Sequence, residues 1–269
     1  MEGKIVDYDG YQGLQVERSG RVLTVTLNRP DALNAIDATL HEELSRVFTD
    51  IDRDDEAGVV ILTGAGKAFC AGGDLKWMAN LHGQPAAFSE VMRNDRRIQT
   101  SLLELEKPII ARVPGPAIGL GASLALFCDF VYATPRASFA DPHVSVGLVA
   151  GDGGALIWPQ LIGYARARRY LLTGDAIRGK EAAEIGLITE AVEPEELDAT
   201  VDAMAQRMLT GATHAIRLTK SAINSGLKQL ATSVIDKAAG FEFISQSMED
   251  HRIALEAFAA KEEPKFIGR

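Results

Sequence analysis

Two glycine-rich turns carry the clearest chemical signal in this chain. The first is Ala68-Phe69-Cys70-Ala71-Gly72-Gly73-Asp74-Leu75-Lys76, which follows the apolar run Val59-Val60-Ile61-Leu62-Thr63-Gly64. The second is Val113-Pro114-Gly115-Pro116-Ala117-Ile118-Gly119-Leu120-Gly121-Ala122, behind the apolar run 109–113. Glycines placed just after a strand let the backbone come close to a ligand and point N–H groups at it. Two such turns facing one point would offer two donors to a developing negative charge, which is what an oxyanion hole is. Each turn taken alone reads first as a tight turn that has no chemistry.

Other reactive side chains are sparse. The cysteines, Cys70 and Cys128, are far apart, and neither sits in a metal-spacing motif. The histidines (His41, His82, His143, His214 and His251) do not cluster at ligand spacings, so no metal site is expected. Such sparing cysteine use points to a reducing, cytoplasmic compartment. A net charge of −9, with no run of five or more Lys or Arg, argues against a nucleic-acid partner. The longest nearly apolar run, 117–128, is too short to span a bilayer, so no membrane partner is expected. Residues 1–10 carry acids and lack an apolar segment, unlike a signal peptide.

The elements that must position the turns follow from periodicity. Residues 14–18 and 22–27 alternate and are joined by Ser19-Gly20, which predicts a hairpin. Asp37 is a plausible N-cap for a helix over 38–52, with Leu40, Leu44, Val47, Phe48 and Ile51 on one face. Strands are expected at 59–63, 109–113, 130–133 and 138–140, a polar helical insertion at 74–106, and a buried helix at 117–127. A further helix is expected to start at Gly153, and the pattern is mostly helical from Tyr164 onward. Alternating strands and helices followed by a helical tail predict an α/β fold: a core over 1–200 and a C-terminal helical region over 201–269. With 269 residues, 46% of them hydrophobic, the chain has material for that core.

The order of these segments resembles the crotonase family, also called the enoyl-CoA hydratase/isomerase superfamily. The matching motifs are Leu27-Asn28-Arg29-Pro30 with Leu33-Asn34-Ala35, the two glycine-rich turns, and Cys128-Asp129. Further matches are Gly151-Asp152-Gly153-Gly154, Leu171-Leu172-Thr173-Gly174, Glu184-Ile185-Gly186-Leu187-Ile188, and the terminal segment with Phe258, Lys261 and Pro264-Lys265-Phe266. The resemblance covers about 12–269. It implies a spiral of ββα turns, with a C-terminal helical region that supports trimers or dimers of trimers. It also implies an acyl-CoA thioester substrate, coenzyme A arriving as part of that substrate, and no tightly bound cofactor.

Carried over motif by motif, the two oxyanion donors fall on the N–H groups of Gly73 and Leu120. The pantetheine path falls on Gly73, Asp74, Leu75 and Lys76, with Ala71 beside it. The nucleotide falls near Arg29, Leu33 and Ala68, closed over by Phe258 and Lys261 of the same or a neighbouring subunit. Hydratases of the family use two glutamates. Ser123 and His143 stand at those positions here, so the usual two-glutamate mechanism does not transfer intact. An imidazole can replace a carboxylate in proton transfer near neutral pH. Asp152 would hold its tautomer and stabilise its charged form, or else cap the helix that follows.

Ser123 reads as a core hydroxyl bonded to a carbonyl one turn back. Glu242 and Glu249 read as surface or subunit-contact residues. Leu120, Trp77, Met78, Phe88, Val144 and Trp158 are expected to shape the acyl pocket. The leading expectation is an enoyl-CoA hydratase-type lyase or isomerase that uses His143 and Asp152. The alternatives are a β-diketone carbon–carbon hydrolase, a branch that shares the Gly-Asp-Gly and Trp-Pro pattern, and a CoA-binding relative without turnover.

Overall fold

Apolar runs bounded by turn residues become strands, and the computed structural model describes residues 5–269 of the chain. Met1, Glu2, Gly3 and Lys4, part of the acidic N-terminal stretch, lie outside the described residues. The strands are β1 (Leu14–Ser19), β2 (Val22–Leu27), β3 (Val59–Gly64), β4 (Ile109–Val113), β5 (Ala117–Ile118), β6 (Phe130–Ala133), β7 (Ser138–Ala140), β8 (Ile177–Arg178) and β9 (Glu190–Ala191). The helices are α1 (Ala38–Asp52), α2 (Leu75–Leu81), α3 (Pro85–Glu104), α4 (Leu120–Leu126), α5 (Gly154–Thr173), α6 (Gly179–Glu184), α7 (Leu197–Thr210), α8 (Thr213–Gln246) and α9 (Glu249–Ala260).

The main sheet runs β1-β2-β3-β4-β6-β9. Its first pair is the antiparallel hairpin, and every later pair is parallel. A parallel sheet must be covered on both faces, and its strands sort their side chains by period two. Val60, Leu62, Ile109 and Ala111 enter the larger core, which holds Leu40, Leu44 and Phe48 of α1. Val59, Ile61 and Ile110 face the opposite way and pack with Leu197, Val201 and Ala205 of α7. The small sheet β5-β7-β8 stands beside the main one. Helix α1 begins where expected, with the Asp37 carboxylate accepting from the Leu40 amide at 3.0 Å. No described helix is long and apolar enough to cross a membrane.

Two expected elements differ. The segment 117–127 is not one helix: residues 117–118 pair with β7, and α4 starts at Leu120. Gly119 lies between them at φ 54° and ψ −126°, a conformation that breaks a helix and that side chains resist. The insertion at 74–106 divides into α2 and α3, because Gly83 takes a positive φ and Pro85 opens α3 at its first turn.

The first glycine-rich turn is held by one buried side chain. Asn34 is fully buried at φ 58°, a left-handed conformation that Asn tolerates. Its Oδ1 accepts from the Arg29 amide at 2.9 Å. Its Nδ2 donates to the carbonyls of Ala65 and Ala68 at 2.9 Å, with Phe69 at 3.2 Å. Replacing Asn34 by Ala leaves these carbonyls buried and unpaired. Urea denaturation of Asn34→Ala is expected to show a loss of about 1–3 kcal/mol. A loss under half of that would mean that the turn holds its shape without Asn34.

Candidate active site

Backbone pairing brings the two glycine-rich turns together. The amides of Phe69 and Cys70 donate to the Pro116 carbonyl at 3.0 and 2.9 Å, and the Ile118 amide returns to the Cys70 carbonyl at 2.9 Å. Beyond this short parallel ladder, Gly73 and Leu120 line one cavity of about 210 Å³. Among the described residues, neither the Gly73 amide nor the Leu120 amide has a hydrogen-bond partner. Leu120 is the first residue of α4, where an unpaired N–H is the rule and the helix dipole favours negative charge. Free donors from two elements beside one cavity are what stabilisation of an oxyanion requires.

His143 enters the same cavity from a 3-10 turn, His143–Val146, that follows β7. A carboxylate faces each ring nitrogen. Nδ1 bonds Asp141 Oδ1, and Nε2 stands 3.3 Å from Asp152 Oδ2. The Asp141 side chain is fully buried and that of Asp152 is nearly so. Burial works against a charged imidazole, but Asp152 and Asp141 together outweigh it and hold the His143 pKa well above 6.5. Burial pushes the Asp152 carboxyl up, against the pull of the imidazolium. The two carboxylates thus favour the imidazolium form of His143. Asp141, His143 and Asp152 place one ligand atom each within 4.8 Å of one another. An imidazolium with both nitrogens facing carboxylates has no lone pair for a metal.

The position of Gly119 ties the two halves of the site together. A Cβ built there would lie 3.7 Å from His143 Cε1, 3.9 Å from Gly72 Cα and 4.0 Å from Asp152 Oδ2. Asp152 does not cap α5: Gly153 holds that position, without a side-chain cap. Ser123 turns out to face Asp152 rather than a carbonyl one turn back, with its Oγ 3.4 Å from Asp152 Oδ1.

Of the residues expected at the site, Ala71, Gly73, Leu75, Leu120, His143 and Asp152 line the cavity. Arg29, Leu33, Ala68, Asp74 and Lys76 do not line it. Arg29 Nη2 pairs with Asp37 at 3.1 Å and Asp74 at 3.4 Å. The Leu33 carbonyl takes the Ala71 amide, the Ala68 carbonyl takes Asn34, and Asp74 caps α2 through the Lys76 and Trp77 amides. Phe258 is 60% exposed near the end of α9, and Lys261 terminates that helix in a left-handed conformation. Neither of them lines the cavity. Trp77, Met78 and Phe88 line it as expected, whereas Val144 does not. Trp158 is fully buried in the core, its ring 5.7 Å from Tyr170.

Several residues at the site were not legible beforehand. Asp141, two positions before His143, is close in sequence, but only the fold shows its grip on Nδ1. Glu242 is not a surface residue: it is 5% exposed and lines the cavity from α8. Burial drives its carboxyl well above the usual range; His143 opposes this, while Asp152, Asp95 and Asp141 add to it. A lone acid in Gly240-Phe241-Glu242-Phe243-Ile244 was the available hint. His41 and Asp95, paired at 2.7 Å between α1 and α3, also line the cavity.

The family described as enoyl-CoA hydratase/isomerase has a sequence profile that matches residues 17–269. This chain belongs to that family. Similar curated proteins include the short-chain-enoyl-CoA hydratase of Clostridium acetobutylicum, 37% identical over 91% of this chain and 94% of that protein. The 1,2-epoxyphenylacetyl-CoA isomerase of Escherichia coli is 34% identical, over 92% and 95%. Among solved structures, an enoyl-CoA hydratase/isomerase from Mycobacterium paratuberculosis superposes with a TM-score of 0.89 at 36% identity, covering 93% of this chain and 99% of that one. The family member described here thus has the crotonase fold, with a C-terminal helical region.

Removing one of the two anions should lower the His143 pKa. NMR titration is expected to show an imidazolium that persists above about pH 6.5, the ordinary value, and a lower pKa in Asp141→Asn. The raised value contributes stability that is full below about pH 6.5 and is lost as pH rises through the folded-state pKa. The stability gap between the protein and Asp141→Asn should therefore narrow at alkaline pH. An unshifted His143 in Asp141→Asn would remove Asp141 from this account.

Proposed function

We propose that this protein hydrates 2-enoyl-CoA thioesters through a backbone oxyanion hole and a His/Asp acid–base pair. One observation carries the reading: two partner-free amides, Gly73 and Leu120, stand beside one cavity with His143 and Asp152. The thioester carbonyl oxygen accepts from both amides, which draws electrons away from the double bond. Water attacks the β-carbon, and Asp152 takes the proton it gives up. The electron pair of the double bond passes to the thioester oxygen as an enolate. His143 then protonates the α-carbon, the enolate collapses, and proton transfer from Asp152 to His143 restores the site. The product is a 3-hydroxyacyl-CoA, with one water consumed.

Coenzyme A would run along Ala71 and Asp74 to Lys76, with its nucleotide near Arg29, Leu33 and Ala68. Phe258 and Lys261 would close over it from a neighbouring subunit of a trimer or a dimer of trimers. This accounts for their position away from the cavity of a single chain. The raised His143 pKa supports the role of proton donor.

The test deletes a backbone donor. Leu120 is at the first helical position, where proline is tolerated and only the N–H is lost. Leu120→Pro is expected to lower kcat by about 10²–10³ with a panel of 2-enoyl-CoA thioesters. Leu120→Ala keeps the amide and should retain most of the rate. In ¹⁸O-water, labelled 3-hydroxyacyl-CoA should form, and His143→Ala should abolish it. Label appearing instead in a ring-opened acid from a cyclic 1,3-diketone would move the protein to carbon–carbon hydrolysis. An unchanged panel would overturn turnover altogether.

A further inference from the structure

One carboxyl interrupts an otherwise apolar stretch of the cavity wall. Ile36, Trp77, Met78, Leu81, Phe88 and Val91 supply an apolar lining. Glu242 reaches into this lining from α8, far along the chain from the glycine-rich turns. Among the described residues, neither of its carboxyl oxygens has a hydrogen-bond partner, and Oε2 is wholly buried. A buried polar group with no partner is costly and is retained where something else meets it.

The fold makes room for this carboxyl on purpose-built backbone. Gly151 lies directly beneath it: a Cβ there would come within 2.9 Å of Glu242 Cβ and 3.0 Å of the Ala238 carbonyl. Any side chain at 151 would push α8 away from the site. Gln99 of α3 donates to the Gly151 carbonyl at 3.3 Å and holds this segment in place. The other acid on this side of the cavity, Asp95, is satisfied by His41. Asp152 is engaged by His143. Glu242 is thus the acid in the cavity whose hydrogen-bonding capacity is left for a ligand.

We propose that Glu242 is a specificity-determining residue whose carboxyl hydrogen-bonds an oxygen on the acyl chain, so that this site takes oxygenated acyl-CoA thioesters in preference to plain alkyl ones. The inference rests on the acyl-CoA reading above. Burial raises this carboxyl well above the usual range, which favours the protonated form, and that form can donate to a carbonyl or a hydroxyl and accept from a hydroxyl. A site built to hydrogen-bond such a group discriminates strongly against the analogue lacking it, because its own polar group is then left unpaired.

Calorimetric binding separates the two readings, because saturated thioesters need no turnover. The probes are hexanoyl-CoA and its 4-hydroxy, 5-hydroxy and 5-oxo derivatives, titrated into the protein, Glu242→Gln and Glu242→Leu. At least one oxygenated probe is expected to bind about tenfold more tightly than hexanoyl-CoA, the worth of one good hydrogen bond. Glu242→Gln, which keeps a donor, should retain most of that preference. Glu242→Leu should erase it and bind hexanoyl-CoA at least as well as the unmodified protein does. Glu242→Met serves in its place if Leu does not fold. Equal binding of all four probes by the unmodified protein would overturn the proposal, as would a preference that survives Glu242→Leu. Binding of none of the four would overturn the acyl-CoA reading itself, and this inference with it.

Discussion

The site depends on a short parallel ladder between two turns that are distant in sequence. Pro116, Ile118 and Cys70 exchange backbone hydrogen bonds, and this alone sets Gly73 and Leu120 beside one cavity. The ladder leaves both amides without internal partners, which a stable fold tolerates at a helix start or where a ligand completes the bond. Parallel strands β3 and β4 deliver the two turns at the same end of the sheet, so the donors converge by topology rather than by side-chain choice. A large residue can therefore stand at 120: the helix start leaves its N–H unpaired whatever the side chain, and that side chain walls the pocket.

Electrostatics then decide what the histidine can do. An isolated imidazole titrates near neutrality and serves as acid or base. Between Asp141 and Asp152 it is held as a cation despite burial. The two carboxylates are not equivalent. Asp141, directly after β7, is fully buried and grips Nδ1, while Asp152 lines the cavity and faces Nε2 at a looser 3.3 Å. One anion grips the ring away from the cavity, and the other meets it at the cavity wall. Burial, with the nearby acids adding to it, raises the Glu242 carboxyl well above the usual range.

Much of the fold was legible because local rules were strong. The six buried residues of β3 read as a central strand, the Asp37 cap fixed the start of α1, and Ser19-Gly20 marked the hairpin. The failures were places where neighbours overrode local preference. Residues 117–118 have helical company in sequence, yet β7 offers them backbone partners and Gly119 permits the break. Trp158 looked like a pocket wall because it is large and follows the loop, but α5 turns it into the core.

By itself the sequence determined the α/β alternation and the two glycine-rich turns, because each is written in residues close together in the chain, and the family resemblance added the candidacy of His143 and Asp152. The tertiary structure decided the charge state of His143, through Asp141, and the arrival of Glu242, His41 and Asp95 at the cavity. His41, Asp95 and Glu242 come from segments far from His143 in the chain, and a pKa depends on burial and on charges whose placement only folding sets. Periodicity can say that a helix has a buried face; it cannot say which acid on that face will be left without a partner.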